Sequence, residues 1–508
     1  MTKIQTPEWV KDAVFYQIFP DRFAKSSRIN REGLKLEEWH SNPTPHGFKG
    51  GDLFGVLERL DYLQELGITA IYFNPIFSSA SNHRYHTYDY YNVDPLLGGN
   101  AALRELLDES HKRGIRVVLD GVFNHASRGF WQFHHVLENG AGSPYVDWFH
   151  YDEDRLYGRK PWGAYPDTKE LKELQSGVGS LKAIGYQAWW NLPALPKLNT
   201  NTPAVRHFIF EVAEFWLKFG IDGWRLDVPA EIDDDAFWVE FRKQVKAINP
   251  DAYIVGEIWH ESKRWLQGDQ FDAVMNYPVT AAELGFLCGE HLDIPETSKA
   301  GGYRNQIKNL SSEEFANSID TILGWYDPEI THAQMNLLDS HDTPRFLTCA
   351  SGDMDSLKLA YLFMFSYPGA PCIYYGDEIG MDGKQDPDCR KSFIWDESSW
   401  NKHLLDYVKT LTHLRHSNKA LRRGTFHKLY ASDGAYSFAR KFESDNLVIA
   451  LNASNSKLLV PIPTESIGPS PKIIWGQTSL SKDGENTLLQ LDARSGVILC
   501  SKMSTLSI

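Results

Sequence analysis

The sequence predicts an α/β fold: a (β/α)8 TIM barrel with a loop domain inserted after strand 3 and a C-terminal antiparallel β-sandwich. Short apolar runs alternate with longer amphipathic segments over most of the 508 residues. Eight repeats of strand and helix are typical of a closed parallel barrel. One connection is much longer than the others, and the end of the chain changes to short alternating strands.

Eight apolar runs are predicted to be the barrel strands. They occupy residues 13–19, 68–75, 115–125, 221–228, 252–259, 271–277, 334–342 and 371–378. Helical patterns lie between most of them, for example at 100–114 and 203–220. Each of these two patterns ends at a glycine, which is a common signal for the end of a helix.

The predicted domain boundaries follow the changes in pattern. Residues 1–123 and 201–420 are predicted to form the catalytic barrel. Residues 124–200 are rich in Gly, Pro, Trp and Tyr and form the inserted loop domain, since a connection of that length is usually functional. Residues 421–508 contain "GAYSFARKF", "NLVIALNAS" and "SGVILCSKM", which predict the β-sandwich.

Composition excludes several classes of function. The formal net charge of −14 disfavours nucleic acid as a partner, because phosphates require a basic surface. Five scattered cysteines with no CxxC spacing disfavour a disulfide framework and a zinc site. We find neither a secretory signal nor an apolar run of ~20 residues, so the expectation is a cytoplasmic protein with no membrane partner.

The stretch "GWRLDV" at 223–228 carries two opposite charges inside an apolar run. Residues two apart on a strand share a face, so Arg225 and Asp227 point one way and Trp224 and Leu226 the other. A buried carboxylate without a partner is costly, and Arg225 is expected to keep Asp227 ionised near neutral pH. A structural ion pair is the alternative interpretation, but the C-terminal ends of barrel strands are where such barrels carry catalysis.

Other predicted strands also end in polar residues. These are Asp120, His125, Glu257, His341 and Asp342. Taken one at a time, each has a structural explanation as a core histidine or a capping aspartate. Together they place several charges at one mouth of the barrel, which indicates an active site.

The kinds of residue at these strand ends point to glycoside hydrolysis. No phosphate-binding glycine motif and no GxSxG motif fits the sequence. A pair of carboxylates on adjacent strands is the usual apparatus for cleaving a glycosidic bond. Asp227 is suited to be the nucleophile. The apolar setting of Glu257 is expected to raise the pKa of its carboxyl group, as the role of acid/base requires. Neighbouring strands predict the retaining separation of roughly 5–5.5 Å.

Several motifs carry a family resemblance. They are "DGVFNH" (120–125), "GWRLDVPAE" (223–231), "EIWH" (257–260) and "NLLDSHDTPR" (336–345), supported by "LPKLN" (195–199), "GITAIYFNPIF" (67–77) and "GAPCIYYGDEIGM" (369–381). The sequence resembles the α-amylase family of glycoside hydrolases, and within it the neopullulanase, cyclomaltodextrinase and maltogenic amylase group. The resemblance implies the barrel, the loop domain and the sandwich described above.

The resemblance implies a role for each catalytic residue. Asp227 is the nucleophile, Glu257 the general acid/base, and Asp342 a third carboxylate that grips sugar hydroxyls and favours ring distortion. His125 and His341 hydrogen-bond the sugar that is cleaved. The residues that support the nucleophile are Arg225 and Asp120.

Further positions are implied to bind substrate. "NHRYHTYDYY" (82–91) is similar to the segment that supplies His83 and a stacking Tyr85, although core packing is the alternative for any one tyrosine. "DPDCR" (386–390) is similar to the loop whose Asp386 and Arg390 close the next sugar position. Trp259 is expected to flank the aglycone side.

The sequence departs from the family at its calcium positions. Lys197 in "LPKLN" stands where most α-amylases carry a calcium-ligating aspartate. The loop at 21–39 is basic where the group often has Asn and Asp; its cations are Lys25, Arg28, Arg31 and Lys35. A hard cation needs several oxygen ligands. We therefore predict that no metal and no other cofactor is required, with Asp52 the remnant of a calcium site.

The start of the chain also differs from the resembled group. Members usually begin with an extra β-sandwich that covers a partner's active site, whereas this sequence opens on the first predicted barrel strand. The expectation is a more open cleft and, for any homodimer, a mode that does not use an N-terminal domain.

The leading hypothesis is a retaining hydrolase of α-1,4 and α-1,6 glucosidic bonds. Its substrates would be maltooligosaccharides, cyclodextrins or pullulan, with transglycosylation as a side reaction. One alternative is a relative that transfers or isomerises glucosyl units, such as a trehalose- or sucrose-converting enzyme. A non-catalytic sugar-binding member is disfavoured, because Asp227, Glu257 and Asp342 are all present. The sequence does not rank α-1,4 against α-1,6 bonds.

Overall fold

The barrel is seen in a computed structural model that describes residues 4–158, 162–304 and 306–501. Its strands are β1 Phe15–Ile18, β2 Ala70–Phe73, β3 Arg116–Gly121, β4 Gly223–Leu226, β5 Tyr253–Gly256, β6 Ala273–Val274, β7 Met335–Leu337 and β8 Ala370–Tyr374. They pair in parallel in the order β6-β5-β4-β3-β2-β1-β8-β7. A parallel bridge between Met275 and Met335 joins the two edges. The predicted (β/α)8 barrel is confirmed.

Helices surround the barrel sheet. The principal ones are Leu53–Leu57, Leu60–Glu65, Gly99–Lys112, Pro203–Phe219, Asp235–Ile248, Tyr277–Leu287, Ser312–Leu323, Met354–Ser366 and Lys402–Ser417. The helix Pro203–Phe219 begins with proline in its first turn and ends at Gly220, whose φ of 112° is the left-handed conformation that glycine adopts readily. Its buried face includes Ile209 and Trp216, which belong to the main apolar core.

The observed strands are shorter than the apolar runs that predict them. The run 115–125 contains β3 but continues past Gly121 into a loop, where His125 bridges to Lys197. Apolar composition does not show where backbone pairing stops. Most polar residues predicted for the site, such as Asp227 and Glu257, lie just past these strand ends. A hairpin, Phe77–Ser79 with Thr87–Val93, was not among the predicted strands.

A long insertion follows β3, as expected. Its described part, residues 122–202 without 159–161, contains the helices Trp131–Asn139, Glu153–Tyr157, Thr168–Gln175 and Ser180–Ile184. Antiparallel bridges, among them His125 to Lys197, tie its two ends together. The inserted domain therefore rests on the mouth of the barrel, beside the ends of β3 and β4.

The C-terminal region is an antiparallel β-sandwich, as predicted. Its strands are β9 Thr425–Ser432, β10 Ala435–Phe442, β11 Asp445–Asn452, β12 Leu458–Pro463, β13 Lys472–Gly476, β14 Ser479–Asp483, β15 Asn486–Leu491 and β16 Ser495–Cys500. One sheet has the order β9-β10-β11-β16-β13 and the other β12-β15-β14. Val448 of the first sheet and Val460 and Leu489 of the second belong to one buried apolar cluster, so the sheets pack face to face.

Within the described residues, none of the helices combines the length and the apolar character required to cross a bilayer.

Candidate active site

Arg225 is the centre of a buried cluster of charges at the mouth of the barrel. Its Nη1 donates to Asp120 Oδ1 at 2.9 Å and to Asp227 Oδ1 at 3.2 Å. Its Nη2 lies 3.0 Å from Glu257 Oε2. One guanidinium therefore contacts three carboxylates from three consecutive strand ends, and it links Asp227 to Glu257.

The register of the barrel sheet produces this arrangement. Asp120 pairs with Arg225 across β3 and β4, so the two side chains are neighbours. Beyond the paired residues, the backbone N–H of Asp227 donates to Gly121 O and that of Glu257 to Leu226 O. These bonds continue the parallel ladder by one residue, which places both carboxylates at the same level above the sheet.

The backbone directly after Asp227 turns sharply. Val228 has a φ of 36°, a left-handed conformation that is costly for a β-branched residue. Its N–H donates to Glu257 Oε2 at 3.1 Å. The other oxygen, Oε1, accepts from the indole N–H of Trp259 at 3.1 Å. The strained turn and the indole thus fix the orientation of the Glu257 carboxyl group.

Burial controls the protonation of the cluster. It raises the pKa of Asp227 well above its usual range; the Arg225 guanidinium opposes this, and repulsion from Glu257 adds to it. Burial also raises the pKa of Asp120 to about 6 and raises the pKa of Glu257, again against Arg225. Arg225 lowers the pKa of Asp227, as expected, but it is shared by three buried carboxyl groups, so burial outweighs its effect. Ionisation of Asp227 near neutral pH stays a prediction. Because the three carboxyl groups interact strongly, they titrate as a set rather than one by one.

A chain of hydrogen bonds connects this cluster to His341. The Tyr85 hydroxyl donates to Asp120 Oδ2 at 2.8 Å, and its oxygen lies 2.7 Å from His341 Nε2. Gln17 donates its amide N–H to His341 Nδ1 at 3.0 Å. Burial lowers the pKa of His341 well below its usual range, so the ring is neutral. These roles are mutually satisfied if the ring carries its proton on Nε2 and donates it to Tyr85.

Three residues of this network were missed in the sequence. Gln17 and Asn74 bond to each other at 3.1 Å, Asn74 donates to the Tyr85 hydroxyl at 3.1 Å, and Tyr72 donates to Asp120 at 2.9 Å. Each is a polar side chain in an apolar run that forms or adjoins a barrel strand, as in "FYQIF" and "IYFNP". That pattern is the signal that could have found them.

Asp342 is the most exposed of the predicted catalytic carboxylates. Its Oδ2 lies 3.2 Å from His341 Nε2, and its Oδ1 accepts from Arg390 Nη2 at 3.2 Å. Arg390 also donates to His341 O at 2.8 Å and contacts Asp386 at 3.1 Å. The structure therefore groups the two residues of the "DPDCR" loop with Asp342 and His341.

His83, His125 and Tyr85 form the aromatic part of the site. The Tyr85 ring is stacked on His341 with centroids 5.4 Å apart, and His83 lies 5.7 Å from Tyr85. His83 accepts from the Tyr85 N–H at 3.2 Å, and we find no contact with the three clustered carboxylates. Burial lowers the pKa of His125 to about 3. His125 stacks at 4.8 Å on Trp189, a contact that the sequence did not predict.

The indole of Trp259 packs closely against two neighbours. Tyr277 stacks on one face with centroids 3.5 Å apart. A Cβ added to Gly302 would lie 2.0 Å from the indole Cε3, so the backbone of Gly302 is pressed against the ring. In this arrangement the Trp259 indole N–H contributes to the site by donating a hydrogen bond to Glu257. A contact of Trp259 with the aglycone side of the substrate stays a prediction.

Several buried polar atoms of the site have no hydrogen-bond partner among the described residues, Gln17 Oε1 and Arg225 Nε among them. Within the described residues, Asp227 Oδ2 and His125 Nε2 accept and donate no hydrogen bond. Nearly all buried polar atoms in native proteins are satisfied, so such atoms indicate the place of a ligand. Asp227 Oδ2 is the oxygen that is available to attack a bound molecule.

Known proteins match this chain over most of its length. The family model described as "Alpha amylase, catalytic domain" matches residues 17–410. The chain belongs to the α-amylase family. A cyclomaltodextrinase of Geobacillus thermopakistaniensis is 44% identical over 469 residues, which cover 91% of this chain and 72% of that protein. Neopullulanase 2 of Thermoactinomyces vulgaris is 41% identical over 97% of this chain and 78% of its own length.

Solved structures of family members share the whole architecture. The debranching enzyme of Nostoc punctiforme superposes with a TM-score of 0.87 at 47% identity, covering 98% of this chain and 100% of that one. A cyclic α-maltosyl-(1→6)-maltose hydrolase of Arthrobacter globiformis gives a TM-score of 0.82 at 35% identity over 98% and 99% of the two chains. The three-part fold of this chain is thus that of α-amylase-family enzymes.

Proposed function

We propose that the protein is a retaining glycoside hydrolase that cleaves α-1,4 and α-1,6 glucosidic bonds in maltooligosaccharides, cyclodextrins or pullulan, with transglycosylation as a side reaction. The observation that carries the proposal is the shared contact of Asp227 and Glu257 with one guanidinium, with Asp227 Oδ2 unpartnered. Two carboxyl groups held across one arginine fit the short separation of retaining enzymes, about 5–5.5 Å.

The first step forms a covalent bond between enzyme and sugar. Asp227 Oδ2 attacks the anomeric carbon while the bond from that carbon to the leaving oxygen breaks. Glu257 transfers its proton to the leaving oxygen. Arg225 then contacts an uncharged ester at Asp227 and the carboxylate of Glu257, so charge moves within the cluster rather than out of it.

The second step releases the sugar with its original configuration. Glu257, now ionised, takes a proton from a water molecule. The oxygen of that water attacks the anomeric carbon, and the ester bond to Asp227 breaks. A sugar hydroxyl in place of water gives transglycosylation. Asp342, held by His341 and Arg390, is placed to bind hydroxyls of the reacting sugar.

The names of the relatives support the range of bonds. Cyclomaltodextrinase, neopullulanase and debranching enzyme are the names of proteins 41–47% identical to this chain. All three names refer to enzymes that act on linear, branched or cyclic maltooligosaccharides. Products from pullulan separate the bond types, because panose, isopanose and maltotriose each report a different bond and register.

We propose further that the enzyme needs no calcium, because an arginine already binds the oxygens of the calcium-loop position. The Arg31 guanidinium donates to Gly50 O at 3.0 Å, Ser26 O at 2.8 Å and Ile29 O at 3.1 Å, and it also bonds Asp52 Oδ2. These four oxygens are of the type that a hard cation would use. With all of them committed to one guanidinium, the residues present do not fit a calcium ion.

Lys197, which stands where most α-amylases are implied to carry a calcium-ligating aspartate, also supplies a cation of the chain itself. The Lys197 ammonium donates to Glu231 O at 2.8 Å and lies 3.8 Å from the Glu231 carboxylate. It joins the inserted domain to the loop after β4. Among the described residues, no cluster of three or more His, Cys, Asp and Glu side chains is suited to hold a metal.

We propose a cytoplasmic location from the names of two relatives. Two relatives from Bacillus subtilis, 37% and 36% identical, are named intracellular maltogenic amylase, which supports a cytoplasmic location. A homodimer is the assembly that we propose to test. Light scattering of the purified protein measures the assembly state directly.

Azide rescue tests the proposed pair of carboxylates. In Asp227→Ala, azide takes the place of the nucleophile, so an activated α-glucosyl donor is expected to give the β-glucosyl azide. In Glu257→Ala, azide attacks the intermediate on Asp227 and is expected to give the α-glucosyl azide. Rescue of both variants with the same anomer, or wild-type activity in Asp227→Ala, would refute the assignment.

A further inference from the structure

Three parallel rings lead outward from the buried site. His125 stacks on Trp189 with centroids 4.8 Å apart and an angle of 8°. Trp189 stacks on Trp190 at 4.4 Å and 12°. Trp189 lies between the other two rings, so the stack, which we call the aromatic ladder, runs from the histidine of the site to the surface of the inserted domain.

The outer ring of the ladder is held in solvent. Trp190 is 75% exposed, although tryptophan is among the residues with most to gain from burial. One face of its indole rests on Trp189, and the high exposure leaves the opposite face accessible. A flat exposed aromatic face is the surface that packs against the C–H groups of a sugar ring.

The backbone that presents Trp190 is strained. Trp190 has a φ of 52° and Asn191 a φ of 56°, which makes two successive non-glycine residues left-handed. The strain is held by bonds from Asn191 N–H to Ala188 O at 3.1 Å and from Ser180 N–H to the Asn191 side-chain oxygen at 2.9 Å. Strain that the surroundings maintain is found most often at functional sites.

We infer that Trp190 is a substrate-binding platform for a glucosyl unit beyond the one that reacts, and that the aromatic ladder makes the enzyme favour longer chains. The inference rests on the proposed function and deepens it by naming a residue for chain length. Trp189 fixes the platform relative to His125, so a chain whose reacting unit lies at His125 has a further unit within reach of Trp190. The ligand class is an α-glucan of several units.

The test compares two substrates in one variant. Trp190→Ala is expected to lower kcat/KM on maltoheptaose about ten-fold more than on maltotriose, which is the loss expected for one ring-stacking contact. The loss should lie in KM rather than in kcat, because the contact is the same in the ground state and the transition state. Trp190→Phe keeps an aromatic face and should recover most of the difference.

Trp131→Ala is the matched control. Trp131 is also exposed, at 61%, but it packs against His135 of its own helix. This variant should keep the wild-type ratio between the two substrates. An unchanged ratio in Trp190→Ala, in a protein whose wild type cleaves both substrates, overturns this inference and leaves the proposed function intact. Failure of the wild type to cleave either substrate refutes the proposed function itself.

Discussion

At the scale of single residues, one arginine is shared by three buried carboxyl groups. Arg225 contacts Asp120, Asp227 and Glu257, and burial raises the pKa of all three carboxyl groups. The proposed reaction needs one proton at Glu257 and none at Asp227. Three buried carboxyl groups around one guanidinium favour the retention of a proton, and the proposed mechanism assigns that proton to Glu257 as the general acid.

The pH dependence of kcat/KM follows from these directions. Asp227 attacks as an anion, so activity should rise with pH as Asp227 loses its proton. Glu257 acts as an acid, so activity should fall as pH rises through its pKa. Because burial raises both pKa values, both limbs of the bell should lie above the ordinary carboxyl range of about 3.9–4.3. Initial rates at low substrate concentration measure the profile.

Glu257→Gln is the control for that profile. It should lower kcat by about 10²–10⁴-fold on natural substrates and remove the alkaline limb. Donors with a good leaving group, such as α-glucosyl fluoride, should lose much less in the first step. An alkaline limb that survives in Glu257→Gln would assign the acid to another residue.

The carboxylates of the site are easier to predict from the sequence than the polar residues that surround them. Asp227 and Glu257 stand at the ends of apolar runs, where charge is unexpected without a function. Gln17 and Asn74 do not stand out in this way, because a single polar residue in a strand has many explanations. Their roles come from contacts between strands, such as Gln17 to His341 across 324 residues, which local pattern does not contain.

At the scale of elements, close packing of the strands positions the carboxylates. A Cβ at Gly223 would lie 2.3 Å from Tyr253 O, so only glycine allows β4 and β5 to approach as they do. That approach sets Arg225 against Glu257. The alternation of strands and helices was predictable from periodicity, whereas strand length was not, because apolar residues continue into the loops that line the site.

The loop that contains Arg31 gives a prediction about metals. Chelation with EDTA should leave the activity and the melting temperature of the wild type unchanged, because the Arg31 guanidinium already satisfies the loop oxygens. Arg31→Met leaves Asp52 buried without its cation and should lower the free energy of unfolding by about 3 kcal/mol. Urea denaturation measures the change.

A second substitution in the same loop separates the effect of losing the Arg31–Asp52 contact from the effect of losing one positive charge. Lys35 is exposed, so Lys35→Met should change the free energy of unfolding by less than about 0.5 kcal/mol. A fall in the wild-type melting temperature on EDTA treatment, or a rise on addition of calcium, would contradict the proposal that the loop binds no ion.

At the scale of the whole molecule, the site is assembled from two of the three parts of the fold. The barrel supplies the three carboxylates around Arg225, and the inserted domain supplies Trp189, which stacks on His125. The order of the three parts was predictable, because each has its own pattern of apolar residues. The aromatic ladder was not, because "AWWNLP" has no periodicity that says which ring is buried and which is exposed.

The central claim is that Asp227 forms a covalent bond to the sugar. A 5-fluoro-α-glucosyl fluoride reacts in the first step by loss of fluoride and is slow in the second, so the intermediate accumulates. Digestion and mass spectrometry are expected to locate one fluoroglucosyl group on Asp227. A label on another carboxylate, or no adduct together with a product of inverted anomeric configuration, would contradict the account.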